Sequence, residues 1–288
     1  MIRITTLIIL LVLCFSLAAC GKTETVMENE PDKTQILITD EKPTESIIKK
    51  ELSSYSFAHA AEIYADPDAY TGKKYASPFN IISEKQQVEA NTMYYANGYI
   101  KNGGIRTLTV LDFKDSLAVD LSLNQTVYVY GIIQGKGFVA DEAGNHIDLL
   151  WLEVTDIELD AGTANILTEN KEYSFESGEY FATDGMLTIE IMSLNFSRDM
   201  LSLNTKTVDS SVKKMTTYYF DIIIHQDGYF AWYNNCNFWI QPDSISGYDG
   251  IPMPVMSSAK DMTIEFVPFS ENGKLLYEPL VIDVKLSK

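Results

Sequence analysis

Tyr218-Tyr219-Phe220-Asp221-Ile222-Ile223-Ile224-His225-Gln226-Asp227-Gly228-Tyr229-Phe230-Ala231-Trp232-Tyr233 reads as two strands joined by a tight turn. Tyr218, Phe220, Ile222 and Ile224 point one way and their neighbours the other, the period of a strand with one buried face. Asp227-Gly228 supplies the residues that tolerate the positive φ of a two-residue hairpin. The same alternation recurs in Leu187, Ile189 and Ile191, in Met262, Ile264 and Phe266, and in Leu280, Ile282, Val284 and Leu286. Asp184-Gly185 and Asn272-Gly273 punctuate these runs, the second also suiting a tight hairpin. Two antiparallel sheets, each burying one face against the other, are the economical packing for such a pattern.

The layout of residues 161–288 is similar to an immunoglobulin-like β-sandwich. The Cys…Trp…Cys framework of antibody domains is absent, so the likeness is one of architecture. The aromatic stretch 229–239 has two readings. It is either a contact surface at the sandwich rim, or it carries Trp232 and Trp239 as plugs of the sandwich core, the commoner arrangement. The loop over 241–254 is the longest stretch without periodicity, and long loops carry function disproportionately.

Upstream, strand-like runs fall at 75–82, 92–100, 105–113, 125–134 and 146–158, after an amphipathic stretch over 57–64. Turn signals at Asn97-Gly98 and Gly103-Gly104 break this series. Five short strands in close succession predict a small closed or nearly closed β-barrel. Asp66-Pro67-Asp68-Ala69-Tyr70-Thr71-Gly72-Lys73, Val127-Tyr128-Val129-Tyr130-Gly131-Ile132-Ile133 and the closing strand over 147–159 resemble the anticodon-binding-like OB-fold domains of secreted lipoproteins from Gram-positive bacteria. The resemblance spans roughly residues 55–160. One departure is Ser77-Pro78-Phe79, where a glycine-containing first strand is expected and proline implies a bulge or an edge. OB-folds bind oligonucleotides or oligosaccharides across their second and third strands. The resemblance therefore implies a ligand face at Tyr94, Tyr95, Tyr99 and Arg106, although alternation sends half of any strand inward and tyrosines there commonly serve as packing.

Charge narrows the ligands. The chain has 22 basic and 40 acidic side chains, a net charge of −18. Residues 55–160 carry 7 basic and 15 acidic residues, and residues 161–288 carry 9 and 17, so each is at −8. Neither offers the basic footprint that displaces counterions from a phosphate backbone, and no nucleic-acid partner is expected.

At the N-terminus, Arg3 precedes an apolar run over 7–17, closed by Ala18-Ala19-Cys20-Gly21. This is the layout of a signal peptide and is too short for a membrane span. Leu17-Ala18-Ala19-Cys20 resembles the lipobox of bacterial lipoproteins. The resemblance implies cleavage between Ala19 and Cys20, with a diacylglycerol on the Cys20 thiol. A single acyl chain holds a protein marginally and two hold it stably, because each buried methylene adds about 0.8 kcal/mol. Residues 1–19 are thus read as a signal peptide and 20–54 as the lipidated cysteine plus a disordered tether rich in Thr, Glu, Lys and Pro, spanning roughly 30 Å as a flexible coil. Of the three cysteines, Cys14 leaves with the signal and Cys20 carries lipid, so Cys236 is the sole thiol left and reads as a small packing residue in a strand.

Catalytic spacing is lacking. His59, His146 and His225 are far apart and have no ligand partner at zinc spacing. Asp66-Pro67-Asp68 lacks the third acid, the glycine and the closing glutamate of a calcium loop. Ser210-x-x-Lys213 and Ser257-x-x-Lys260 lack the companion motifs of penicillin-recognising enzymes. No metal or cofactor is expected, and the chain is not read as an enzyme. The reading is a mainly β lipoprotein held on the extracytoplasmic face of the membrane through Cys20. It would bind an envelope protein or a glycan without catalysis. Two alternatives stand beside it: a substrate-binding lipoprotein for a transporter, and an accessory protein acting on cell-wall polymers. Domains of this kind are joined by mobile interfaces by default. Cys20→Ser is expected to move the protein from the membrane fraction to the soluble fraction on ultracentrifugation; retention in the membrane would refute lipid anchoring.

Overall fold

Each predicted barrel strand is present, and the chain closes them into a ring. The structure, a computed structural model, describes residues 55–88, 90–100, 107–114, 119–140, 143–161, 168–198, 200–214, 216–240, 251–252 and 261–286. The signal, Ala19, Cys20, the tether and most of the 241–254 loop lie outside them. The strand β1 (Tyr55–Ser56) leads through the short helix α1 (Ala60–Ala65) to β2 (Lys74–Ile81), β3 (Gln86–Val88), β4 (Asn91–Gly98), β5 (Thr107–Lys114), β6 (Thr126–Ala140) and β7 (His146–Asp160). The ring runs β2-β4-β5-β7-β6 and returns to β2. Every pairing in it is antiparallel except the parallel β5–β7 seam, where Thr109–Phe113 lie beside Leu150–Val154. Closure leaves no free edge in the ring. Alternate residues point inward, so Tyr75, Phe79, Ile81, Tyr94, Leu111, Phe113, Val127, Val129, Leu150 and Leu152 fill the barrel, with Ile63 of α1 packed against them.

Two local departures have simple causes. Pro78 produces no bulge, for its register with Tyr128 of β6 is continuous. It stands in a gap on the other side of β2, after the β1 pairing at Tyr75 and Ala76 and before the β4 pairing at Phe79, so no neighbour asks for the missing N–H. Asn97-Gly98 is the end of a strand and not a turn. Gly98 is required there because a Cβ would run into the Tyr64 hydroxyl.

Beyond the barrel come β8 (Thr168–Ser174), β9 (Phe181–Thr183), β10 (Leu187–Arg198), β11 (Met200–Asp209), β12 (Thr216–Gln226), β13 (Tyr229–Ile240), β14 (Ile251–Pro252), β15 (Asp261–Phe269) and β16 (Leu280–Lys285). They make one sheet in the order β14-β11-β10-β8, with β9 also on β10, and a second in the order β13-β12-β15-β16. The four apolar sets expected to face a common core do so: Leu187, Ile189 and Ile191 meet Phe220, Ile222 and Ile224, Ile264 and Phe266, Ile282 and Val284. Cys236 is buried in the same layer. Asp227-Gly228 makes the expected two-residue hairpin, with φ of 50° and 80° and Gln226 directly opposite Tyr229. Around Asn272-Gly273 the turn is tight, with Ser270 N–H on the Lys274 carbonyl, Phe269 bridging to Leu275 and Leu276 N–H on the Pro268 carbonyl, while the regular β15–β16 ladder ends at Phe266 and Leu280.

The two halves share more than a linker. Residues 48–288 belong to one unit, and β13 runs parallel to β7, pairing Tyr229 with Leu159 and Phe230 with Asp160, so the barrel and the second sheet form one continuous eleven-stranded sheet. Residues 220–226 of β12 are all buried, because both faces of this strand are covered. One face looks into the sandwich. The other places Ile223 with Phe230, Val267 and Phe269 against Phe57, Ala76, Tyr128 and Tyr130 of the barrel side. This third apolar layer packs the two halves together at the place where the sequence leads to the expectation of a mobile interface. Ile223→Ala should cost about 2–5 kcal/mol, as for other buried aliphatic truncations, and the two halves should melt together. Circular dichroism and tryptophan fluorescence are expected to trace one coincident transition; two separate transitions would show independent units.

Candidate functional site

Where the outer wall of the barrel parts from the second sheet, a groove of about 330 Å³ opens. Its wall is a row of polar residues across three strands. Asn97 of β4 stands opposite Asn80 of β2, which stands opposite Thr126 of β6. Alternation places them outside because Phe79 and Val127, their chain neighbours, fill the barrel. Asn80 Nδ2 donates to the Asn124 carbonyl at 3.0 Å. Asn124 holds a left-handed φ of 65°, a conformation asparagine tolerates. Pro78 and Ile82 supply apolar surface.

Two aromatic rings close the groove. Tyr99 follows β4, and Trp232 arrives from β13, with ring centroids 4.4 Å apart and planes at 82°. Phe57 lies 6.0 Å from each, edge-on, and supports them from behind. Burial, followed by the nearby charge of Asp221, pushes the Tyr99 phenol up to about 12, so it stays protonated and neutral at physiological pH. The Trp232 indole N–H has no acceptor among the described residues. No Lys, Arg, Asp or Glu lines the groove among the described residues.

The face expected at Tyr94, Tyr95, Tyr99 and Arg106 is not a single surface. Tyr94 points into the barrel at 1% exposure. Its hydroxyl donates to the Val119 carbonyl at 3.0 Å and accepts from Leu121 N–H at 3.1 Å, which ties the segment before β6 to the core. Tyr95 is half-buried on the opposite side of β4, with its N–H on Ser83 Oγ. Of the three that are described, Tyr99 alone lines the groove; Arg106 lies outside the described residues. The aromatic stretch 229–239 divides likewise. Tyr229 and Tyr233 pack on the sandwich core, whereas Phe230 and Trp232 face the barrel, so Trp232 is no plug of the sandwich. The Trp239 side chain lies outside the described residues. Asn80 carries no motif and Asn97 reads only as part of a turn signal, and their meeting with Trp232 joins residues 152 and 135 positions apart, a proximity no local pattern encodes.

Behind the groove the joint encloses a charged cluster. His225 Nδ1 lies 2.6 Å from Glu158 Oε2, and its Nε2 lies 3.8 Å from Glu265 Oε2. Tyr130 Oη donates to Glu158 Oε1 at 3.3 Å, and the Tyr128 ring meets the imidazole edge-on at 4.8 Å. All three ionisable residues are less than a tenth exposed. Burial on its own would hold the His225 imidazolium down, but the two carboxylates outweigh it and raise the pKa to about 9. The cluster is buried and acts as a clasp between β7 of the barrel and β12 and β15 of the second sheet. Another buried carboxylate, Asp209, accepts from the Ser211 N–H and hydroxyl and from the Tyr218 and Tyr277 hydroxyls. Burial favours its neutral form, yet these donors keep its pKa below the usual aspartate value, as befits a joint in the sandwich. No set of three His, Cys, Asp or Glu side chains among the described residues is arranged to hold a metal.

The folded pKa of His225 stands above its ordinary value of 6.5, so its stabilisation is complete below about 6.5 and is lost as the pH rises through about 9. Urea unfolding across that window should show the loss in the wild type. His225→Leu should abolish this component and cost about 3–5 kcal/mol near neutrality by stranding two buried carboxylates; a wild-type stability with the same pH profile as the variant would refute the clasp. Comparisons of the chain with protein-family models, with curated proteins and with solved structures return no match, so a functional reading rests on the groove and its surroundings.

Proposed function

We propose that this chain is a non-catalytic recognition protein of the cell envelope, anchored through lipid on Cys20 at the extracytoplasmic face, and that the groove between barrel and second sheet is where it meets its partner. The observation that carries this reading is the composition of the groove: two half-buried aromatic rings beside a row of amide and hydroxyl groups. Recognition sites combine an apolar surface with a few placed polar groups in this way. The packed joint supports the same reading, since a site shared between barrel and second sheet is better held when a third apolar layer joins them.

The barrel is read as OB-like. Its support is the ring of five strands in which the third and fifth, β5 and β7, meet in parallel. The second half is read as immunoglobulin-like on the strength of two antiparallel sheets sharing one core. Both folds commonly serve as binding scaffolds, with specificity set by the site and not by the fold. A photo-crosslinking residue in place of Asn97 is expected to capture an envelope component in intact cells. The same residue in place of Phe138, exposed near the β6–β7 hairpin tip, should not. Equal capture at both positions, or none at Asn97, would remove the groove from consideration.

A further inference from the structure

We infer that the ligand of this groove is a neutral saccharide, an inference that rests on the groove being the recognition site. The first argument is charge. No ionised side chain lines the groove among the described residues, and Tyr99 keeps its proton. An anionic ligand would meet no counter-charge there and would approach a chain of net charge −18. A cation would meet no carboxylate in the lining.

The second argument is the hydrogen-bonding inventory. Asn97 and Thr126 have no side-chain partner among the described residues, and Asn80 commits one amide proton to the Asn124 carbonyl, leaving its other groups open. Amides and hydroxyls both donate and accept. That suits the hydroxyl-rich rim of a sugar, which also does both. Trp232 and Tyr99 provide the complementary surface, because the electron-rich faces of aromatic rings attract the C–H groups on the flat side of a pyranose.

The third argument removes one competitor, a peptide added to the sheet as a further strand. Strand addition needs an open sheet edge. At Asn80 both edges of β2 are occupied, one by Asn97 of β4 and the other by Thr126 of β6. The backbone there has nothing left to offer a peptide, so recognition falls to side chains. A volume of about 330 Å³ is within the usual range for small-ligand sites and admits a short saccharide.

The test uses the full-length protein in detergent, with chitotetraose and maltotetraose as neutral probes and tetragalacturonate as the anionic one, read by saturation-transfer NMR and titration calorimetry. At least one neutral tetrasaccharide should bind and tetragalacturonate should not. Asn97→Ala and Trp232→Ala should each weaken binding about tenfold or more. Asn97→Ala truncates a half-buried wall residue away from Phe57 and keeps the test valid if Trp232→Ala disturbs packing on Phe57. Absence of binding by both neutral probes overturns the inference. Binding that Asn97→Ala leaves unchanged overturns it as well, because the saccharide then sits elsewhere. If crosslinking at Asn97 captures a polypeptide while neither neutral probe binds, the saccharide falls and the recognition reading survives; if crosslinking also fails, both fall.

Discussion

A sheet buried on both faces is the constraint that organises this molecule. Residues 220–226 of β12 have no exposed member, so apolar side chains must satisfy two environments at once. Ile222 and Ile224 belong to the sandwich, and Ile223 belongs to the joint with the barrel. Polar residues on the barrel-facing side then need partners inside the protein, since water cannot reach them. His225 meets Glu158 and Glu265, one from each half, which makes the charge cluster a condition of docking as much as a result of it. A buried ion pair of this kind contributes little net stability against an apolar substitute, but removing one partner is costly. Its effect is to favour one mutual placement of barrel and sheet.

The groove follows from the same joint. A barrel wall curves and a sheet does not curve with it, so the two part at the border of their shared core. Phe57, Tyr99 and Trp232 occupy that border. Phe57 finishes the core, while Tyr99 and Trp232 pack on it and line the groove, the position from which an aromatic side chain can serve both packing and recognition. The amide row beside them belongs to the barrel alone and is held by its strand pairing. Half of the site is therefore set by local register, and half by the arrival of β13.

Much of the barrel is legible in the sequence because its strands are short, alternating and separated by turn residues. The departures come from tertiary demands. Gly98 looks like a turn glycine and is a strand glycine cleared for the Tyr64 hydroxyl. Pro78 looks disruptive and is harmless, because the ladder around it is interrupted on one side. Tyr94 looks like a platform residue and is a core residue whose hydroxyl holds a connecting segment. In each case the residue type was informative about a constraint, and the neighbour that imposes the constraint came from elsewhere in the chain. The run Ile222-Ile223-Ile224 does carry a trace of the joint, since three successive branched apolar residues exceed what one buried face requires.

Strand positions, the Asp227-Gly228 hairpin, the sandwich-facing sets and the overall negative charge were determined by the sequence alone, because each depends on residue type and spacing within a few positions. Tertiary structure decided that the barrel closes through a parallel β5–β7 seam, that the second sheet is covered on its outer face, and that Asn80, Asn97, Tyr99 and Trp232 share one groove. These depend on contacts between residues far apart in the chain. Such contacts are selected by the burial of whole surfaces and by the pairing of buried charges, and neither leaves a periodic mark in the order of the residues.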